Sequence, residues 1–394
     1  MHTHARPILE KFFGRHLQLM HAARRTVLCA AVAAVMAGHL LSLSRLARGL
    51  MGSGTHKAAL KRVDRLIGST RITQEARLVA AALLGTLCAP GQPLVIAVDW
   101  SEVAPDGAFV ELRAVATHAG MGRGLTIYQR VYPKAKLGNR HVERLLLREL
   151  RMWIPSEVAV TIIADAGFRR PWFAEIEALG WSWIGRVRRG VQVSRDGQHW
   201  EDCHAWFAKA TLKACRWSNC WLSKEHQFAC ECVLYRGRIA GGKRYGRAGH
   251  RSSPKARAEA SARAREPWLL AHSPKLCSLR ADEIVALYRN RMQIEENFRD
   301  TKSASLGSGL EVSQSRSSSR LHALLLIGTL AAFFLWNIGQ LAEAEGVQRR
   351  FRATTRKPRE VSIITLAKWL WLLPRLPLTE FGMRTLYDRL RIPA

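Results

Sequence analysis

At 394 residues the chain is long enough for two or three compact units with cores of their own. Hydrophobic residues make up 48% of it, which excludes a disordered chain, and 61 Lys and Arg against 31 Asp and Glu leave a net charge of +30. So basic a balance points to a polyanionic partner. Nucleic acid comes first, because each neutralised phosphate releases a counterion, and an anionic membrane surface is the rival.

The N-terminal region reads as helices. "TVLCAAVAAVMAGHLLSLS" (26–44) has the apolar content of an export signal, but the stretch before it is long and itself patterned, so it is taken as part of the fold. In "HKAALKRVDRLIGST" the apolar Ala58, Leu60, Val63 and Leu66 recur at helical spacing, ringed by Lys57, Lys61, Arg62 and Arg65. A short turn between basic helices fits a DNA-reading module and fits an ordinary solvated bundle equally well. Residues 1–88 are taken as a helical domain, with those four cations as candidate DNA contacts.

From residue 93 the period changes. "PLVIAVDW" is a buried central strand, and "AFVELRAVATHAG" and "GLTIYQRVYP" follow as strands joined by glycine-containing turns. "NRHVERLLLRELRMWI" is an amphipathic helix with Val142, Leu145, Leu146 and Leu150 on one side. "VAVTIIADAG" is a second buried strand, "PWFAEIEALG" a helix and "WSWIGRVRRGVQV" a strand. Three strands, a helix, a strand, a helix and a strand imply one mixed α/β sheet with helices on its faces.

Residues 190–275 break that rhythm with short aromatic and cysteine-bearing runs that look like β-hairpins. They lead into a loop with ten Lys or Arg and one Glu between 236 and 265, which reads as a phosphate-contacting arm or a solvated loop. The set Cys203, His204, Cys215, Cys220, Cys230 and Cys232 lacks the paired spacing of a zinc site, so buried reduced thiols are expected. "LHALLLIGTLAAFFLWNIGQLA" (321–342) has no Asp, Glu, Lys or Arg and could span a bilayer by length. Its polar surroundings favour a helix buried against the sheet. The expected setting is cytoplasmic and nucleoid-associated, without a membrane.

The chemistry gathers on three acids. Asp99 and Asp165 each close an otherwise apolar strand, where α/β sheets place ligand sites. Two such acids in a chain this basic call for a divalent cation between them, and Mg²⁺ prefers oxygen ligands, with Mn²⁺ as a substitute. The third acid lies in "YRNRMQIEENFRDTKS" (288–303). On a continuous wheel Tyr288, Arg291, Glu295 and Lys302 share a stripe about 60° wide beside the apolar Leu287, Ile294 and Phe298. Glu296, Arg289, Asp300 and Gln293 fall on the side open to solvent. Asp99, Asp165 and Glu295 then form a three-carboxylate site for two metal ions, suited to in-line phosphodiester displacement. Tyr288, Arg291 and Lys302 position DNA phosphates.

The spacing Y-x2-R-x3-E-x6-K resembles the YREK signature of bacterial cut-and-paste transposases of the insertion sequence four family. "VDW" at Asp99 and "DAGF" at Asp165 look like that family's two catalytic aspartates, and the resemblance covers about residues 50–340. It implies a helical DNA-end-binding domain at 1–88 and a ribonuclease-H-like core in two parts, 89–189 and 276–340, interrupted by a β-rich insertion at 190–275 and followed by a helical region at 341–394. It also implies Mg²⁺-dependent nicking at the transposon ends, a hairpin intermediate and transfer into target DNA. A homodimer on DNA and stacking of Trp268 on a flipped base come from the same resemblance, as does the apportionment of ions with Asp99 bridging. A catalytically silent or domesticated DNA-binding relative is the alternative.

Overall fold

The computed structural model describes residues 6–50, 54–89, 91–103, 106–188, 190–237, 266–353, 355 and 360–393. Most of the basic loop expected at 236–265 lies outside these residues. The helices are α1 (Arg6–His16), α2 (Ala22–Met36), α3 (Leu43–Gly49), α4 (His56–Ile67), α5 (Arg71–Leu87), α6 (Arg140–Trp153), α7 (Arg170–Ala178) and α8 (His204–Phe207). They continue with α9 (Ala281–Arg289), α10 (Met292–Lys302), α11 (Ser318–Ala344), α12 (Ile363–Trp371) and α13 (Glu380–Leu390). The strands are β1 (Leu94–Glu102), β2 (Phe109–Ala116), β3 (Leu125–Pro133), β4 (Val160–Ala164), β5 (Ser182–Val187), β6 (Gln192–Ser194), β7 (Glu201–Asp202), β8 (Cys215–Leu222), β9 (Phe228–Tyr235) and β10 (Trp268–His272).

The chain divides into two compact units: Met1–Leu94, Asp99–Val158 and Gln293–Ala394 form the first, Val95–Val98 and Ala159–Met292 the second. Both are mixed or β-rich layers flanked by helices, consistent with a ribonuclease-H-like arrangement. In the first unit β2 lies between β1 and β3 and pairs antiparallel with β3, from Phe109↔Pro133 to Ala116↔Leu125. Its spine is α11, whose most apolar window has a mean hydropathy of 1.9 and is 89% buried. This helix is long and apolar enough to cross a membrane, but here α2, α4, α5, α12, α13 and β3 cover it.

Helices α1–α5 close over the same core. Ile8, Leu28, Leu46, Val63 and Leu83 are buried in one cluster with Leu324, Leu330 and Phe334, and the Phe12 ring meets that of Phe334 edge-on at 5.1 Å. In α4 the inward residues are Ala59, Val63, Leu66 and Ile67, so Ala58 faces solvent and Leu60 is half-buried, one step from the expected register. Thr55 caps this helix by accepting from the Ala58 amide.

In the second unit the order is β1, β4, β5, β10, β9, β8, β6, β7, with β1 represented by Val95–Val98. β4 and β5 are parallel, and β10 runs antiparallel between β5 and β9. The hairpins expected at 190–275 therefore extend a sheet edge. Cys203, Cys220, Cys230 and Cys232 are buried and reduced, while Cys215 is exposed. Burial pushes the Cys203 thiol up to about 11. Among the described residues none of these thiols belongs to a metal-binding group.

The close packing of the spine makes its stability testable at two positions. A Cβ on Gly339 of α11 would lie 2.2 Å from the Ile363 carbonyl oxygen at the start of α12. Gly339→Ala is therefore expected to cost about 1–3 kcal/mol by urea unfolding. Gly14→Ala, with nothing within 4 Å, should be neutral or gain up to about 1 kcal/mol. His322 sits in α11, and among the described residues neither ring nitrogen has a hydrogen-bond partner. Burial, reinforced by the Arg130 charge, lowers its pKa to about 4. The unfolded histidine takes up its proton near pH 6.5, so stability is lost as pH falls from there toward 4, by about 3 kcal/mol in all. Urea midpoints measured down this range should show that loss, and His322→Leu should flatten it.

Candidate active site

Residues 288–303 do not form one helix. α9 ends at Arg289, Asn290 and Arg291 form a turn, and α10 begins at Met292. The turn stays right-handed, the Arg291 amide donating to the Tyr288 carbonyl at 3.0 Å, but a wheel drawn through it loses its phase, and the boundary between the two units falls at the same place. Tyr288 and Arg291 belong to the second unit, Glu295 and Lys302 to the first.

In the first unit Asp99 lies in β1, and its Oδ1 accepts from the Trp100 amide at 2.8 Å. The Trp100 indole donates to Glu143 Oε1 at 3.0 Å. Burial raises the pKa of Glu143, and the indole donor opposes the rise. Lys302, at the last turn of α10, donates to Ser101 Oγ at 2.6 Å, two residues past Asp99. The lysine of the signature is thereby tied to the strand of the first aspartate.

α10 is fastened along its length. On β2 Glu111 and Arg113 point to the same side, as residues two apart in a strand do, and both are fully buried. Arg113 donates to Glu111 Oε2 at 3.0 Å and to Thr301 Oγ1 at 3.1 Å, and its guanidinium lies 4.8 Å from the Phe298 ring. Burial raises the Glu111 pKa, while the Arg113 and Lys302 charges pull it down. Across the helix Gln293 exchanges hydrogen bonds with the His118 backbone, at 2.7 Å to its carbonyl and 3.1 Å from its amide. Asn297 donates to the Gly124 carbonyl at 2.9 Å. Arg123 pairs with Asp300 at 2.5 Å and Glu296 at 3.4 Å, and Glu296 also pairs with Arg299. So Gln293, Glu296 and Asp300, expected on the solvent side, are anchors, because loop 117–124 covers that face. Glu295, in the first turn, is exposed.

In the second unit Asp165 follows β4 directly, and its Oδ1 accepts from the Ala166 amide at 2.7 Å. Tyr288 is buried, its ring meeting Trp268 edge-on at 5.2 Å. Burial raises the pKa of its hydroxyl, and the charge of Asp165 raises it further, against Arg291 and Arg186. Asp165, Tyr288, Arg291 and Trp268 thus occupy one neighbourhood. That neighbourhood also holds two arginines outside the set expected from sequence. Arg186 of β5 lies 6.0 Å from the Trp268 ring and 3.4 Å from Glu266, and Arg188 pairs with Glu266 at 2.5 Å. The alternation in "RVR" already put both arginines on one face of a strand, which was the available signal.

Lys57, Lys61, Arg62 and Arg65 all lie on the exposed side of α4, with Arg62 donating to the Leu50 carbonyl at 3.1 Å. Among the described residues no three His, Cys, Asp or Glu side chains gather as a metal-ion site. The chemistry of Asp99, Asp165 and Glu295, all carboxylates, nevertheless suits a hard divalent cation.

A family model described as a transposase DDE domain matches residues 90–334. The chain belongs to that family. Its matched segment holds Asp99, Asp165, Glu295 and the whole signature. No curated protein matches the chain. Among solved structures it is similar to a piggyBac transposase synaptic complex with hairpin DNA, determined by cryo-electron microscopy. The TM-score is 0.44 at 11% identity, over 98% of this chain and 81% of that one.

The buried Glu111–Arg113 pair gives a test of how α10 is held. Arg113→Met would strand a carboxylate out of water and is expected to cost about 3–5 kcal/mol. The double variant Glu111→Leu/Arg113→Met should recover most of that loss. Urea denaturation of the three proteins checks it, and equal loss in both variants would show that the pair's own electrostatics is not what matters.

Proposed function

We propose that this transposase is an insertion-sequence enzyme of the insertion sequence four type, cutting and joining DNA at the ends of its element. One observation carries the reading. Each half of the Y-x2-R-x3-E-x6-K signature lies, within its own unit, beside one of the two aspartates, Asp99 within β1 and Asp165 just after β4. Lys302 reaches the strand of Asp99 through Ser101, and Tyr288 feels the charge of Asp165.

Asp99, Asp165 and Glu295 are the carboxylates that would hold divalent metal, Mg²⁺ or Mn²⁺, as DDE transposases generally do. When bound, such ions activate the attacking hydroxyl and stabilise the leaving oxygen of an in-line displacement. The chain's own part is to bind and orient. Arg291 and Lys302 position DNA phosphates, and Tyr288, buried, acts by supporting its neighbours. Trp268, half-buried against Tyr288, offers a ring face to a base turned out of the stack near the hairpin. Hydrolysis frees a 3′-hydroxyl. That hydroxyl attacks a phosphodiester of the opposite strand and displaces the flanking strand's 3′-oxygen, closing the hairpin; water reopens it, and the regenerated 3′-hydroxyl attacks the target with loss of the target strand's own 3′-oxygen. Lys57, Lys61, Arg62 and Arg65 contact the phosphates of the terminal repeats. Two ends brought together call for a homodimer on DNA, in the cytoplasm at the nucleoid.

Asp99→Asn is expected to abolish nicking of a duplex carrying the element's ends while leaving end binding intact. Divalent-dependent cleavage that persists undiminished in this variant would refute the assignment of Asp99.

A further inference from the structure

We propose that the outward face of α6 is a docking surface for a second stretch of duplex DNA, held through its phosphates without reading of sequence. The partner's identity rests on the transposase reading, but the surface does not depend on the cutting chemistry.

The sequence of α6, RHVERLLLRELRMW, contains as many acids as many surface helices do, yet they are sorted from the bases. Glu143, 5% exposed, turns inward to the Trp100 indole. Glu149, 2% exposed, turns inward to Arg77 at 2.8 Å and Arg130 at 3.2 Å. Arg140, Arg148 and Arg151 turn outward and are exposed. Among the described residues none forms an ion pair with these three. Arg144, half-buried and engaged within the chain, is not counted in the row. Lys136, exposed in the short turn Lys134–Lys136 before the helix, lengthens it.

A solvated helix ordinarily interleaves charges and gains from pairs at i, i+4. Here the solvent face carries one sign only. At 100° per residue the three arginines fall within about 80° of each other, along about 17 Å of axis. One DNA strand presents a phosphate every ~3.4 Å, so the row spans about five of them. The planar guanidinium fork matches a phosphate oxygen pair. An anionic lipid surface fits poorly, because helices that lie on membranes turn an apolar face to the lipid. The apolar Val142, Leu146, Leu147 and Leu150 of α6 are buried in the protein. The row is also distinct from the cations of α4, which sit on a different helix, and its inner face touches the residue next to Asp99.

The test compares the full-length protein with an Arg140→Gln/Arg148→Gln/Arg151→Gln variant on two probes: a short random-sequence duplex and a duplex carrying the element's ends. Affinity is measured between about 50 and 200 mM salt. On the random duplex the log–log slope should become shallower by about 3, and the corresponding triple lysine variant should keep it. The slope on the end duplex should change less. An unchanged slope on the random duplex overturns the proposal, as does an equal or larger change on the end duplex, which would give the face to the transposon end. Loss of binding to phosphatidylserine vesicles with the DNA slope intact overturns it in favour of a membrane. Thermal unfolding of both variants, whose substitutions are all exposed, shows whether either is misfolded. A wild-type protein that binds random duplex through this face but never cuts an end would sink the proposed chemistry and leave this surface standing.

Discussion

A helix with no charged residue between Leu321 and Ala342 cannot face water, and burying it on every side governs the first unit. A helix that is apolar all round needs a full sleeve of partners. Here β3 supplies one side, α12 and α13 another, and α2, α4 and α5 the rest. The N-terminal helices are consequently committed to the core of the unit that carries Asp99 and Glu295. Any DNA contact they make is made from their outer faces, with α4's cations on the opposite side from Ala59, Val63, Leu66 and Ile67. Helices α1–α5 and the scaffold of Asp99 and Glu295 are then parts of one cooperative body.

Charge is distributed under a second constraint. The chain has few acids, and several are withdrawn from the surface: Glu75, Glu111, Glu143 and Glu149 are all buried. Each meets a specific donor, Arg24 for Glu75, Arg113 for Glu111, Trp100 for Glu143, and Arg77 with Arg130 for Glu149. A buried carboxylate needs such a partner because desolvation alone would neutralise it. The effect on the outside is direct. Every acid drawn in leaves its share of the +30 less screened at the surface, so the exterior is more uniformly basic than the composition alone implies.

Much of this was legible in the sequence where the signal is local. The apolar runs leading to Asp99 and Asp165 stand out because an apolar run followed by an acid needs only its own residues to be read, although β1 continues past Asp99 to Glu102 where a strand end was expected. The amphipathic period of α6 and the loss of rhythm after residue 190 are equally local. What was not legible is non-local. "YRNRMQ" contains neither Gly nor Pro, so nothing marks the turn at Asn290 and Arg291, and a continuous wheel was the natural assumption. Gln293, Glu296 and Asp300 look solvated until loop 117–124 is laid over them. Glu111 and Arg113 read as ordinary charges in an alternating strand, and their burial depends on α10, almost two hundred residues later, resting on that face.

The break within the signature changes what its spacing means. On one straight helix, Tyr288, Arg291, Glu295 and Lys302 would share a single rotation, and any change in one would be felt by all. With α9 ending before the arginine and α10 beginning after it, each half answers to its own supports. Tyr288 is set by Trp268 at the head of β10, and α9 is further held by Arg289, which donates to the Tyr235 hydroxyl at 2.6 Å. Glu295 and Lys302 are set by Arg113, Arg123, Asn297 and Gln293. Substitutions in the β-rich insertion should therefore act through the tyrosine and arginine, and substitutions in β2 or loop 117–124 through the glutamate and lysine. The two classes should be additive where they share no partner.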